Sequence, residues 1–188
     1  MSPQRQAPTD MRRSDRGVED EAWIRRFLQV KNVGILATAD GEQAFINSNL
    51  YVYDETAHCI YLHTARTGRT RETVESNPKA CFHVYEMGRL LPADEALEFS
   101  VEYAGVTVFG EVRVVEEAAE QEQALQLLLD KYAPQLRPGR DYRGITAEEL
   151  KRTTVYRLEI TEWSAKLKRV EDDFPGAFSL PESAFLSE

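Results

Sequence analysis

The chain of 188 residues is poor in cysteine and has no long apolar segment. Its two cysteines, Cys59 and Cys81, each lie inside an apolar run, and two cysteines do not form the disulfide framework of a small secreted domain. No run approaches the ~20 apolar residues of a membrane-spanning helix. The N-terminal residues carry charge without the apolar segment of a secretory signal. We therefore expect reduced, buried cysteines in a cytoplasmic protein without a membrane partner.

Histidine is scarce as well. His58, His63 and His83 have no His or Cys partner at metal-ligand spacing, so no metal site is predicted. His58 follows a turn and is expected to be solvated, whereas His83 lies within a strand and is expected to be hydrogen-bonded there. No Ser-His-Asp, Cys-His or nucleophile-elbow arrangement is present, so hydrolysis is not favoured. His63 differs because it stands at a strand end, next to a basic segment, where it could donate a proton to a ligand.

Composition and charge limit the class of protein. Hydrophobic residues make up 42% and charged residues 29% of the chain, as in an ordinary globular domain. The net charge of −9 argues against a nucleic acid partner, because such a partner requires a basic surface. Residues 1–17 are polar and rich in Arg, Pro and Asp, which predicts a flexible N-terminal arm. An anion bound by this chain must be held by a local basic cluster.

Apolar periodicity predicts an α+β fold. Trp23, Ile24, Phe27 and Leu28 recur at helical spacing after Asp20. Three short strands joined by tight turns follow, which predicts an antiparallel meander. The remaining predicted elements, in chain order, are a helix over 68–76, a strand over 79–86, a loop over 87–98, a strand over 99–115 with bends at its glycines, helices over 116–132 and from 146, and a strand over 153–163. Six strands with helices between antiparallel neighbours favour a closed barrel with peripheral helices.

The segment Arg66–Arg71 (RTGRTR), called the basic corner below, carries three arginines and no acidic residue in a chain that is acidic as a whole. It lies where a strand gives way to a helix, so unpaired N–H groups and the positive helix end favour an anion such as phosphate. Gly68 allows the backbone to approach, and Arg69 offers a two-pronged donor. The alternative is that Thr67 caps the helix and the arginines are solvated. No Rossmann or P-loop pattern is present.

The strand over 43–53 adds a second polar feature. Asn47 and Asn49 share one of its faces with Tyr51, at positions where strands more often carry Val or Ile. Amide side chains can hydrogen-bond the polar edge of a heterocycle. An equally acceptable interpretation is that this face of the sheet is exposed to solvent.

Three segments together resemble a known family. GILATADG, NSNLYVYDE and IYLHTARTGRTRETVESNPKACF resemble the FMN-binding split barrels related to pyridoxamine-phosphate oxidase. Two later segments, EMGRLLPADEALEFSVEYAGVTVFGEVRVVE and ELKRTTVYRLEITEWSAK, are similar to the Nim-type proteins associated with 5-nitroimidazole resistance. The resemblance implies a six-stranded split barrel over residues 18–169, and it leaves residues 170–188 as a C-terminal tail.

The resemblance also implies a homodimer that binds one FMN at each of two sites between subunits. His63 matches a catalytic histidine of the Nim-type proteins. The positions that match cofactor-binding segments of the family are Phe45, Ile46, Asn47, Ser48, His63, Thr64, Gly68, Arg69, Thr70, Tyr103, Trp163 and Lys166.

The chain departs from the family pattern at several of these positions. Thr70 stands where many relatives have Lys, Gly105 replaces a usual Ser, and Ala165 replaces the Gly of a WSGK-like motif. Ala44 and Asn49 stand where prolines often flank the strand. The arginine-rich C-terminal motif of true pyridoxamine-phosphate oxidases is missing, so that reaction is not predicted.

Three functions remain open from the sequence. The first is an FMN-dependent oxidoreductase that reduces a small electron-poor molecule such as a nitroimidazole. The second is a non-catalytic protein that binds or stores FMN or another small molecule. The third is the same fold with a different cofactor, such as heme or a deazaflavin.

Overall fold

A computed structural model describes residues 7–181 and shows six antiparallel strands that close into a barrel in the order β1-β2-β3-β6-β5-β4. The strands are β1 Val33–Asp40, β2 Gln43–Asp54, β3 Cys59–Ala65, β4 Lys79–Leu91, β5 Ser100–Val114 and β6 Thr153–Lys168. Tight turns connect β1, β2 and β3, as the sequence predicts. The predicted six-stranded antiparallel barrel with peripheral helices is confirmed.

Four helices surround the barrel: α1 Glu21–Val30, α2 Arg69–Ser76, α3 Ala118–Tyr132 and α4 Ala147–Leu150. The side chain of Asp20 accepts hydrogen bonds from the first N–H groups of α1 and so fixes where it begins. The Thr146–Glu149 capping box does the same for α4. Short 3-10 turns occupy Ser14–Arg16 and Ala96–Glu98.

The apolar residues form two separate cores on opposite faces of the sheet. Ile60 and Leu62 of β3 point into the barrel, where they join the large interior cluster. Cys59 and Tyr61 of the same strand point outward and pack beneath Leu128 of α3. Side chains alternate along a strand, so neighbouring residues of β2 and β3 lie in two different environments. This alternation separates the two halves of the candidate site described below.

Both cysteines are free, and Cys59 is fully buried. Burial raises the pKa of its thiol to about 11, so Cys59 is an inert packing residue. Within residues 7–181, no helix has the length and apolar character needed to cross a bilayer.

Two strands are longer than the sequence predicts. β4 continues through the predicted loop to Leu91, because a bulge between Met87 and Leu90 lets the strand resume pairing with β5 before Pro92. β6 continues past Trp163 to Lys168, because the first half of β5 supplies it with a pairing partner. The predicted irregularity at Gly110 is confirmed as a bulge, and a Cβ there would lie 1.8 Å from the carbonyl oxygen of Glu159. Gly105 causes no bulge.

Both ends of the described chain contact the barrel. Gly17 pairs with Lys166 of β6, and Phe178 pairs with Leu90 of β4. Arg89 donates hydrogen bonds to the carbonyl oxygens of Val170, Glu171 and Asp172 at 3.4, 3.1 and 2.9 Å. Its guanidinium also pairs with Glu102 at 2.9 Å. The segment after residue 169 is therefore attached along the ends of β4 and β5 as far as Phe178.

Candidate functional site

The basic corner lies at the junction of β3 and α2, as predicted. Gly68 is the N-cap residue and has φ +136°, a conformation that other residues rarely adopt. Its carbonyl accepts the N–H groups of Arg71 and Glu72 at 3.0 and 3.2 Å. The N–H groups of Arg69 and Thr70 have no acceptor in the part of the chain that the structure describes. Thr67 does not cap α2, so the capping part of that alternative is wrong, and the helix start presents two N–H groups without an acceptor in residues 7–181.

The three arginines of the corner differ in what they contact. Arg66 donates to the carbonyl oxygen of Lys151 at 2.7 Å, which ties β3 to the start of β6. Arg71 pairs with Glu75 one helical turn later at 2.7 Å. Arg69 is exposed, lies 5.2 Å from the Phe45 ring centroid, and has no acidic partner within residues 7–181. Arg69 is therefore the arginine of the corner that remains available to an anion.

A polar floor links β2 to the corner. The side-chain amide of Asn47 donates to the hydroxyl of Thr70 and to the side-chain oxygen of Asn49, both at 3.4 Å. Asn49 in turn donates to the carbonyl oxygen of Asn47 at 2.8 Å. Asn49 and Thr70 are buried, so the solvent-facing interpretation of this face is wrong. Thr70, which replaces a cation of the family pattern, instead joins α2 to β2.

Thr64 and His63 are neighbours in β3 but face opposite sides. The Thr64 hydroxyl lies 3.1 Å from the hydroxyl of Tyr156, a residue of the barrel interior, and 2.9 Å from its acceptor, the Ala65 carbonyl oxygen. His63 faces outward, and so do Ile46 and Ser48 of β2, which are exposed. The predicted cofactor-binding residues of β2 and β3 are thus divided between two faces of the sheet.

His63 borders a cleft of about 420 Å³ between the second half of α3 and the segment 142–149, called the His63 cleft below. The apolar wall consists of Leu50, Leu125, Leu128, Leu129, Tyr132, Ala133 and Ile145. The polar residues of the lining are His63, Tyr142, Arg143 and Glu149. Desolvation lowers the pKa of His63, although its side chain is accessible from the cleft.

The sequence did not reveal this cleft. Leu125, Leu128 and Leu129 recur at helical spacing, which is typical of a buried stripe, but Leu129 remains 36% exposed. Tyr142 and Arg143 lie in a loop whose position depends on long-range packing. The proline and glycine residues within 133–145 predict a loop, but they do not predict that the loop packs beside α3 and forms one side of the cleft.

Tyr103 and Lys166 lie together in a third region. They line a cavity of about 560 Å³ on the outer face of β4, β5 and β6, together with His83. His83 bonds the Thr107 hydroxyl at 2.9 Å, which confirms the predicted hydrogen-bonded strand residue. Near the basic corner, Thr154 of β6 pairs with Thr64 of β3. Lys166 lies twelve residues further along β6 than Thr154, which corresponds to roughly 40 Å of strand. A single chain therefore does not bring Lys166 to its own basic corner.

Trp163 occupies yet another position. Its ring packs against His58 with centroids 4.9 Å apart, and the guanidinium of Arg25 lies 5.2 Å from the indole centroid. Trp163 thus fixes α1 to the barrel. His58 is not solvated as predicted, because it is packed between Trp163 and Tyr53, and desolvation lowers its pKa.

No group of three or more potential metal ligands is found among the described residues 7–181. The candidate site consists of the basic corner at one end of β3 and a separate apolar cleft beside His63.

A family model described as pyridoxamine 5'-phosphate oxidase matches residues 20–167, and the chain belongs to this family. No curated protein sequence matches the chain.

Several solved structures share the fold at low sequence identity. A flavocytochrome (Anf3) from Azotobacter vinelandii is 20% identical with a TM-score of 0.76, covering 95% of this chain and 88% of its own. An FAD- and heme-binding protein from Mycobacterium smegmatis is 19% identical with a TM-score of 0.73, covering 84% and 76%. A candidate 5-nitroimidazole antibiotic resistance protein from Bacteroides thetaiotaomicron is 17% identical with a TM-score of 0.66, covering 80% and 86%. At such identities the similarity establishes the split-barrel fold alone.

Proposed function

We propose that the protein is an FMN-binding oxidoreductase of the cytoplasm that reduces a small electron-poor molecule. The observation that carries this proposal is the basic corner, where Arg69 and two N–H groups that find no acceptor among residues 7–181 meet at the start of α2. Phosphate fits this donor set, since it accepts both backbone N–H bonds and a forked guanidinium. Family membership and flavin-binding structural neighbours support the choice of a flavin.

The polar floor supports the same assignment. Asn47 and Thr70 link β2 to α2, so the strand that would border the flavin ring is joined to the helix that would hold its phosphate. Thr70 supplies no charge, and Arg69 with the helix end must hold the phosphate without a lysine. We therefore expect weaker phosphate binding than in relatives with a cation at this position.

Bound FMN would supply electron transfer, and the protein would supply position and electrostatics. His63 borders the cleft where a substrate could lie. Because its pKa is lowered by desolvation, His63 is mainly neutral near pH 7 and can orient a substrate through a ring N–H bond. This role differs from that of a charged proton donor. The alternative is that the protein binds or stores FMN without turnover.

A homodimer would complete the site. The outer face of β1, β2 and β4 carries Val33, Ile46, Tyr85 and Met87, all at least half exposed. The strand register places Ala37 of β1 beside Ile46 of β2, so this apolar surface extends across both strands. Such a surface is typical of a protein interface. A second subunit seated there could bring its Lys166 and Tyr103 to the first subunit's corner.

The first test is the cofactor itself. Purified protein should show paired flavin absorption bands, and heat-released cofactor should migrate as FMN rather than FAD. Arg69→Ala should weaken FMN binding at least about 10-fold, because it removes a charge-assisted pair of bonds. Arg12→Ala, an exposed arginine of the N-terminal region, is the matched control and should leave the dissociation constant unchanged. Equal FMN binding by both variants would show that the phosphate lies elsewhere.

A mixing experiment tests the shared site. Arg69→Ala and Lys166→Ala protomers would each bind FMN poorly as homodimers. Unfolding and refolding a mixture should produce heterodimers with one intact site, and tight FMN binding should return to about a quarter of all sites, as random pairing requires. Absence of recovery would mean that Arg69 and Lys166 do not serve one site across the interface.

Substrate reduction separates the enzyme from the storage protein. A nitroimidazole supplied with NADH should be consumed steadily by FMN-loaded protein, and no turnover would favour storage. Heme is the competing cofactor, because a neutral histidine beside a leucine-rich cleft could also bind heme iron. A Soret band without the paired flavin bands would support heme and refute the flavin proposal.

A further inference from the structure

We propose that the His63 cleft is the pocket for the electron acceptor and that it selects uncharged, planar, conjugated molecules bearing an oxygen that accepts hydrogen bonds, such as quinones. This inference rests on the proposed function, and it adds the class of substrate. The inference depends on three features of the cleft: its apolar wall, the balance of charge in its lining, and its hydrogen-bond donors.

The wall of the cleft is formed mainly by leucines that remain accessible. Leu125 and Leu129 stand one helical turn apart on α3, and Leu50 of β2 faces them from the sheet. Leu50 is 49% exposed and Leu129 is 36% exposed, so both still present apolar surface that a ligand can bury. A volume of about 420 Å³ holds a molecule of two or three fused rings.

The charges in the lining cancel. Arg143 and Glu149 form an ion pair with 2.9 Å between Nη2 and Oε1. Glu149 also accepts hydrogen bonds from the N–H and hydroxyl of Thr146 at the start of α4, which holds the carboxylate in place. His63 is mainly neutral near pH 7. A charged ligand would thus lose hydration without meeting an unpaired opposite charge in the described lining.

Two donors remain for an acceptor oxygen. The side-chain amide of Gln126 donates to the Tyr142 hydroxyl at 3.0 Å, and this leaves the hydroxyl proton of Tyr142 free to donate. His63, which also lines the cleft, offers a ring N–H. Quinones are uncharged, largely apolar electron acceptors of reduced flavins, and their conjugated rings are planar. Conversion of a quinone to a hydroquinone takes up two electrons from the reduced flavin and two protons.

The experiment uses three matched probes that are not turned over. The probe 9-fluorenone is planar, uncharged and bears one carbonyl, fluorene lacks the carbonyl, and 9-fluorenone-2-carboxylate adds a charge. Equilibrium dialysis against FMN-loaded protein should show binding in the order fluorenone, fluorene, carboxylate. Tyr142→Phe should weaken fluorenone binding roughly 10-fold and leave fluorene unchanged, because only the ketone uses the hydroxyl.

A second variant tests the location of the pocket. Leu129→Trp should fill the cleft and weaken both uncharged probes at least about 10-fold, with FMN content and circular dichroism unchanged. Leu97→Trp, at a site 89% exposed and outside the cleft, should have no effect. The proposal would be overturned if the carboxylate bound most tightly of the three probes. It would also be overturned if the affinity for fluorenone were unchanged in both Leu129→Trp and Tyr142→Phe.

Flavin content separates this inference from the proposed function. Protein that contains FMN but binds no fluorenone would refute the pocket alone. Protein that lacks FMN yet shows the predicted probe order would refute the flavin function and the acceptor role, and only the binding specificity of the cleft would survive.

Discussion

The basic corner and the His63 cleft occupy opposite faces of the same two strands and have opposite chemistry. On the inner side, Asn47, Asn49 and Thr70 form a hydrogen-bonded floor beside an available arginine. On the outer side, Leu50 and His63 border a cleft with leucine walls. Strand alternation produces both, since residues one position apart belong to different faces. The proposed phosphate site and the proposed substrate site therefore use different residues of the same two strands.

The largest expected effect concerns the core beneath the cleft. Leu128→Ala should lower the free energy of unfolding by about 3 kcal/mol, because Leu128 is buried in the cluster under α3 and its removal leaves a cavity. Phe45→Ala at the corner should cost less, because Phe45 is only half-buried. Chemical denaturation measures both, and Leu97→Ala serves as the exposed control. Equal losses at Leu128 and Phe45 would contradict the division into an apolar side and a polar side.

A smaller effect concerns pH and the environment of His63. Desolvation lowers the folded-state pKa below the ordinary value of 6.5, so the unfolded chain binds more protons as the pH falls past that value. The free energy of unfolding should therefore fall between pH 7 and pH 5, and His63→Gln should make this fall shallower. Histidine proton shifts in NMR titrations give the pKa directly. A measured His63 pKa above 6.5 would indicate a negative charge beside the ring. It would contradict the contrast between an uncharged cleft and a charged corner.

The smallest expected effect distinguishes the arginines within the corner. Arg71 is engaged by Glu75, so Arg71→Ala should change the FMN dissociation constant less than about 2-fold and lower stability by about 0.5 kcal/mol or less. Titration of FMN fluorescence for Arg71→Ala and Arg69→Ala measures the difference. If Arg71→Ala weakened binding as strongly as Arg69→Ala, the corner would act through total charge and not through one positioned side chain.

The sequence predicts the barrel and the corner well because both depend on local signals. These signals determine structure only within a few neighbouring residues. They are the Asp40–Gly41 turn, the Asp20 cap and the basic segment after β3. The sequence does not predict the full length of β4 and β6, because the length of a strand depends on a partner strand far along the chain. His58 was misjudged for the same reason, since Trp163 lies about 100 residues away.

By itself, the sequence determined the antiparallel barrel, the helix that begins at the corner and the concentration of positive charge there. These features follow from alternation, turn residues and helix ends, which act over short stretches of chain. The availability of Arg69 and not Arg66 depends on long-range packing, because Arg66 donates to the carbonyl oxygen of Lys151 ahead of β6, whereas the Arg71–Glu75 pair is local to α2. Only the tertiary structure decided that His63 faces an apolar cleft, since α3 and the segment 142–149 meet there only after the barrel closes.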